Sequence, residues 1–243
     1  MKRIFILTLT ILVMVSCQEK ETNFSLSGNI KGLKQGSLYL QKIKDTSIVN
    51  IDSVIIDGDS NYLLEAYIDE PEIMFLYLDK IDGDKNDDII DFFAEKGEMT
   101  INSTLDNFVA NSKVSGSKNQ AILEEYEGII KRFNEQNLDL VKESFDAQKA
   151  NDQEKVLAIN KSYENLLKRK YLYTVNFAIN HKDKEVSPYI ILTEAFDANI
   201  KYLDTVYNSY QKEIRKSKYG KELKDLIKEQ RKLLKLEDKV SDK

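Results

Sequence analysis

One cysteine and one histidine limit the chemistry open to this 243-residue chain. A lone thiol, Cys17, forms neither an internal disulfide nor a CxxC redox pair. A lone imidazole, His181, cannot supply the multi-histidine set of a usual zinc site. His181 stands in Asn180-His-Lys-Asp near the predicted end of a helix, where a cation is mildly favoured. No nucleophile elbow accompanies it, as a serine hydrolase of that type requires. Asp82-Gly-Asp84-Lys-Asn86-Asp-Asp88 places oxygen ligands at alternate positions, as a calcium loop does. Asp87 then stands where the sharp turn needs glycine, and Phe93 where the bidentate glutamate belongs, so the segment reads as an acidic hairpin loop. Gly28, Gly32 and Gly36 precede no clear helix, and Gly220-Lys221 lacks the upstream glycine of a phosphate-binding loop. A carboxylate pair could in principle cleave glycosides, but 41 acidic residues leave no pair singled out. No residue is assigned a catalytic, cofactor-binding or metal-binding role.

The one position with a definite covalent chemistry is Cys17. Lys2 and Arg3 make a short positive region, and Ile4 to Val15 is an apolar run broken only by Thr8 and Thr10. Twelve residues are too few for an ordinary membrane-spanning helix, which needs about 20, but they suit the apolar stretch of a signal peptide. The run closes on Met14-Val15-Ser16-Cys17, which resembles a bacterial lipobox: a small residue directly before a cysteine whose thiol becomes a thioether to lipid. Met14 stands where leucine is usual. The reading is a signal peptide over 1–16, a lipid anchor on Cys17 and a polar tether over 17–23. Several acyl chains hold a protein at a membrane far more firmly than one. The expected location is the cell envelope of a Gram-negative bacterium, lipid-anchored to the outer membrane and facing the periplasm or the surface. The charged stretch behind Cys17 also resembles a surface-export signal.

Charge divides unevenly along the chain. From Cys17 to Gly116 there are 9 basic and 19 acidic residues; from Ser117 to Lys243 there are 25 and 22. The formal net charge of -5 argues against a general nucleic-acid partner, which needs a basic footprint. The two halves have opposite sign, which favours their docking, although solvated faces account for the imbalance equally simply. Thirteen tyrosines and no tryptophan are the compositional surplus. Tyr171, Tyr173, Tyr202, Tyr207 and Tyr210 fall in the helical half. Tyrosine rings stack on sugars or anchor interfaces, but more often pack with the hydroxyl left wet.

The elements follow from hydrophobic period. Over 24–116, seven of the nine glycines punctuate short β-prone runs: Phe24–Ile30, Ser37–Lys42, Ile48–Ile56, Tyr62–Ile68, Ile73–Leu78, Ile89–Ala94, Met99–Ser103 and Asn107–Val109. Strands this close leave no room for helical crossovers, so an antiparallel β-sandwich or partly open barrel is predicted. Over 117–236 the period changes. Ile122, Tyr126, Ile129 and Phe133 step by three and four, as do Val156, Ile159, Tyr163, Leu166, Tyr173 and Phe177, with Lys170 interrupting. About five helices are predicted. The first two form a hairpin broken at Asn151-Asp152. A third begins at Ser187-Pro188 with the serine as cap and runs to about Asn199. A fourth begins near Asp204 and a last near Ser217, and the charged tail over 237–243 frays. The fold class is α+β.

Several segments together resemble a known family. FSLSGNIKGLKQGSLYLQK (24–42), IDSVIID (51–57) with Tyr62 following, SGSKNQAILEEY (115–126), SPYIILTEA (187–195) and SKYGKEL (217–223) are similar to the domain-of-unknown-function family 4369. That resemblance runs from about Phe24 to Leu236. It implies the N-terminal part of envelope proteins of the thioredoxin-like, alkyl-hydroperoxide-reductase/thiol-specific-antioxidant type. In those relatives a thioredoxin module with a CxxC follows the last helix. Here the sequence ends at Lys243 and its cysteine lies in the lipobox, so the resemblance implies fold and compartment rather than redox activity. The expectation is a non-catalytic, membrane-anchored binding or scaffolding module, accessory to a separately encoded protein of thioredoxin fold. The alternative is a surface lipoprotein that binds a glycan or other ligand. A carboxylate-dependent hydrolase ranks third.

Overall fold

The computed structural model describes residues 21–80 and 88–241. Its first part contains β1 (Phe24–Lys31), β2 (Gln35–Lys44), β3 (Ser47–Asp57), β4 (Asn61–Ala66), β5 (Glu72–Asp79), β6 (Ile89–Ala94), β7 (Gly97–Thr104) and β8 (Lys113–Ser115). Every second side chain of β4 and β5 is buried, the period that a pleated strand with one core face demands. The strands form two sheets, ordered β4-β1-β7-β8 and β3-β2-β5-β6, and do not close into a barrel. Between them lie Leu26, Leu38, Leu40, Leu64, Leu76 and Phe92 in one continuous core. Asn23, read as the last residue of the tether, is already tied to this sandwich: its amide exchanges hydrogen bonds with the Ile68 backbone at 2.8 and 2.9 Å.

One pairing departs from the antiparallel expectation. β1 runs antiparallel to β4 but parallel to β7. A parallel pair needs a long connection, and here strands β2 to β6 supply it in place of a helix. Gly28 lies on β1 against the Ile101 carbonyl of β7, where any side chain would collide. That same carbonyl accepts a 2.8 Å hydrogen bond from the Tyr62 hydroxyl. A second departure is Asn107–Val109, an apolar-looking run that forms a turn rather than a strand. Its Phe108 is buried beneath the core, and its backbone carbonyl accepts from the Ser103 hydroxyl. The last strand is β8, antiparallel to β7.

The second part contains six helices among the described residues: α1 (Lys118–Lys149), α2 (Gln153–Asn180), α3 (Val186–Glu194), α4 (Ile200–Ser209), α5 (Lys212–Lys216) and α6 (Lys218–Ser241). Ser117 caps α1 by accepting from Gln120 N at 3.0 Å, and Asp152 caps α2 by accepting from Lys155 N at 3.0 Å. Asn151 adopts a φ of 54°, the left-handed turn that reverses the hairpin. Several boundaries differ from the sequence reading. Glu185, not Ser187, precedes α3, and the buried Ser187 hydroxyl donates to the Ala178 carbonyl instead of capping. Pro188 still sits in the first turn, where its missing N–H is harmless, but α3 ends at Glu194. α4 starts at Ile200 because the Asn199 side chain caps it, accepting from Lys201 N at 3.0 Å. α5 is a short additional helix, and α6 continues through most of the tail that was expected to fray.

Candidate binding cleft at the junction of sheet and helices

β6 carries the junction. Successive side chains of a strand point to opposite faces, so burial of both Phe92 and Phe93 means that both faces are covered. Phe92 fills the sandwich core, whereas Phe93 enters a second cluster with Tyr126, Phe177, Ile190 and Tyr219. The Phe93 ring packs edge-on against Tyr189 and Tyr219, at centroid distances of 5.7 and 5.8 Å, and those two rings are 5.1 Å apart. Phe93 N donates to Gln120 Oε1 at 2.7 Å, and Ile73 N to the Tyr219 hydroxyl at 2.9 Å.

Carboxylates of the acidic β half meet the positive ends of two helices. Glu95 accepts from Lys118 N at 2.7 Å and from Asn119 Nδ2 at 2.8 Å, at the start of α1. Asn119 Oδ1 in turn accepts from Val186 N at 3.0 Å, so the starts of α1 and α3 are tied together. Glu70 accepts from Lys218 N at 2.7 Å, at the start of α6. The buried Glu72 binds Lys218 Nζ at 2.6 Å and Lys42 Nζ at 3.3 Å.

These contacts leave a cleft of about 640 Å³. Its floor is the outer face of the second sheet, with Ile73 and Phe75 on β5 and Asp91 on β6. The end of β2 and its turn bring Ile43 and Asp45 to it, and the helices contribute Tyr189, Lys218, Tyr219 and Glu222. The sheet face continues beyond the cleft as an aromatic shelf, where Tyr39 and Tyr77 stack at 5.8 Å. Burial pushes the Tyr189 hydroxyl up to about 12, helped by the negative charges of Asp91, Glu127 and Glu194. Loss of water contact also raises the Glu222 carboxyl; Lys218 draws it back, and Glu70 and Glu72 push it further up. Glu127 is raised by burial first, then by Asp91, Glu124 and Glu194. The surroundings of the cleft therefore hold a surplus of negative charge.

The residues singled out from sequence fare differently. Cys17 and the acidic loop up to Asp87 lie outside the described residues; Asp88, the loop's last residue, pairs with Lys80 at 2.6 Å. His181 caps the C-terminus of α2 with its ring 4.4 Å from that of Phe177. Tyr210 is buried with its hydroxyl 3.0 Å from Ser187 Oγ. The Tyr171 hydroxyl donates to Asp197 at 2.6 Å, Tyr173 stacks on Tyr126 at 6.1 Å, and Tyr202 and Tyr207 pack on the helical core. None of the five lines the cleft. The tyrosines that do, Tyr189 and Tyr219, lie inside the segments 187–195 and 217–223 that carried the family resemblance. Their place in those segments was the one signal in the sequence; Asp91 carried none.

A two-sheet sandwich with helices docked on one edge strand defines the class. Residues 24–123, the sandwich and the start of α1, match the model of the domain of unknown function DUF4369, which supports the resemblance over that stretch. No curated protein and no solved structure matches the chain. No helix among the described residues is long and apolar enough to cross a membrane.

Proposed function

We propose that this protein is a non-catalytic, lipid-anchored envelope module that binds or scaffolds a partner, with the junction cleft and the adjoining sheet face as its binding surface. The observation that carries this reading is a fixed concavity floored by a sheet and walled by aromatic rings. Its volume lies within the range typical of ligand sites, and its walls are held by the Glu70, Glu72 and Glu95 contacts. The lipobox supports the anchor on Cys17. The family resemblance supports a thiol-disulfide protein of thioredoxin fold as the partner. The test is retention from bacterial envelope extract on the immobilised full chain, read by mass spectrometry. A thioredoxin-fold protein is expected to be enriched, and to be lost with Tyr189→Ala. A Cys17→Ser chain is expected to leave the membrane fraction yet keep the partner. Failure to enrich any thioredoxin-fold protein, or enrichment indifferent to Tyr189, overturns that assignment.

A second reading is favoured by the Tyr189, Tyr219 and Phe75 rings beside carboxylates, which suit stacking on a sugar with hydrogen bonds to its hydroxyls. A glycan array with no signal above heat-denatured protein would rule it out.

A further inference from the structure

The charge of the cleft narrows what it takes, and this step rests on the reading of the cleft as the binding surface. Its one cation among the described residues, Lys218, is already compensated, 2.6 Å from Glu72, which Lys42 also approaches. Lys218 Nζ lies 5.3 Å from the centre of the Tyr219 ring, so an ammonium group already uses one aromatic face here. Asp45, Asp91 and Glu222 line the same cleft and have no ion-pair partner among the described residues. Like charges gathered at a partly desolvated surface repel one another. An anionic ligand adds to that repulsion, a neutral sugar leaves it unchanged, and a cation relieves it. The Phe75 and Tyr189 rings offer further surface for a hydrocarbon stem or a flat guanidinium. At about 640 Å³ the cleft is larger than one side chain needs. It opens onto the extended, aromatic face of β5 and β2.

We infer that the cleft binds a lysine or arginine side chain presented by an extended segment of a partner protein, with the ring faces holding its stem and the carboxylates of Asp91 and Glu222 its charge. The test uses the full chain in detergent and end-blocked Gly-Ala-Arg-Ala-Gly as probe. Companion peptides carry lysine, citrulline or norleucine in place of arginine. Binding is followed by calorimetry and by chemical shifts of the tyrosine rings. The arginine and lysine peptides are expected to bind and to shift Tyr189. Citrulline and norleucine are expected to bind at least about tenfold more weakly, the loss that follows when a charge pair is removed. Raising salt from about 0.05 to about 0.5 M is expected to weaken the cationic peptides selectively. The double variant Asp91→Asn with Glu222→Gln, two exposed and near-isosteric changes, is expected to lose the preference for cations at an unchanged melting temperature. Equal binding of citrulline and arginine, binding undisturbed in the double variant, or no peptide binding at all overturns the inference. If envelope retention still depends on Tyr189 in that case, the cleft stands as a binding surface and only the cationic assignment falls. If both fail, the cleft is not the site.

Discussion

Between the two sheets, Leu26, Leu38, Leu40, Leu64, Leu76 and Phe92 are fully buried and bring no polar atom with them. In the helical region, Tyr126, Thr174, Ser187 and Tyr210 are also buried, and each carries a hydroxyl that must find a partner. Tyr126 Oη and Thr174 Oγ1 are 2.7 Å apart, and the threonine hydroxyl donates to the Lys170 carbonyl at 2.9 Å. Two pleated sheets of period two meet as continuous apolar faces. Six helices of unequal length leave irregular gaps, which long aromatic side chains with polar tips fill. The sandwich therefore depends on area removed from water, and the helical region depends in addition on paired hydroxyls and on its attachment at β6. The far end of the α1–α2 hairpin lies further along the same scale. Leu138 is 68% exposed and Phe145 57% exposed, and the Asn137 side-chain oxygen is buried with no hydrogen-bond partner among the described residues.

The largest expected effect is at the shared ring. Phe93→Ala removes the side chain that joins the two regions and is expected to cost about 3–5 kcal/mol, as for other buried phenylalanines. In urea, the helical region is expected to melt before the sandwich, giving two transitions by far-UV and near-UV circular dichroism. A single transition at an unchanged midpoint would show that the regions are not coupled through this ring.

Alkaline pH sharpens the comparison next. Burial raises Tyr126, Tyr189, Tyr210 and Tyr219 in the helical region, against Tyr62 in the sandwich. A raised phenol binds its proton more tightly folded than unfolded. Its stabilisation is full below the unfolded value of 10.0 and is lost as pH rises, for Tyr189 through about 12. Helical signal is therefore expected to disappear before β signal in a titration upward from pH 10. Loss of both at the same pH, or of β signal first, contradicts the contrast.

The smallest effect has the opposite sign. Asn137→Leu replaces an unpaired buried amide oxygen, in a gap lined by Phe133 and Leu166, with an apolar side chain. It is expected to stabilise the hairpin by about 1 kcal/mol, seen as slower amide exchange along α1. Faster exchange there would mean that the amide has a role the packing does not reveal.

Local rules recover many of the elements but not how they are joined. Short β-prone runs between glycine-rich turns marked seven of the eight strands among the described residues, because β-branched and aromatic residues bounded by turn residues write a strand into the chain. Such runs do not distinguish parallel from antiparallel neighbours, so β1 beside β7 was illegible. Asn107–Val109 has the composition of a strand, but Phe108 is buried from a turn. Ser187 has the composition of a cap, but its hydroxyl points to Ala178 and Tyr210. Serine serves either purpose, and only the packing of α2 and α4 selects one. The adjacency of Phe92 and Phe93 was visible, and two-sided burial is the reading that fits it.

The lipid-attachment signal at Met14–Cys17 is linear, so sequence alone carries that expectation. The hairpin turn at Asn151-Asp152 and the change from period two to 3.6 near Ser117 are likewise local. The cleft is different in kind. Asp45, Phe75, Asp91, Tyr189 and Glu222 come from separate elements. They meet because β5 pairs with β6 in one register, because Phe93 anchors that edge in the helices, and because Glu70 and Glu95 hold the starts of α6 and α1. Backbone propensity and amphipathic period act over a few residues, whereas the approach of these side chains depends on contacts as distant as Glu70 and Lys218. The sequence alone determined where most strands and helices lie. Only the tertiary structure decided which carboxylates and rings would face the same space.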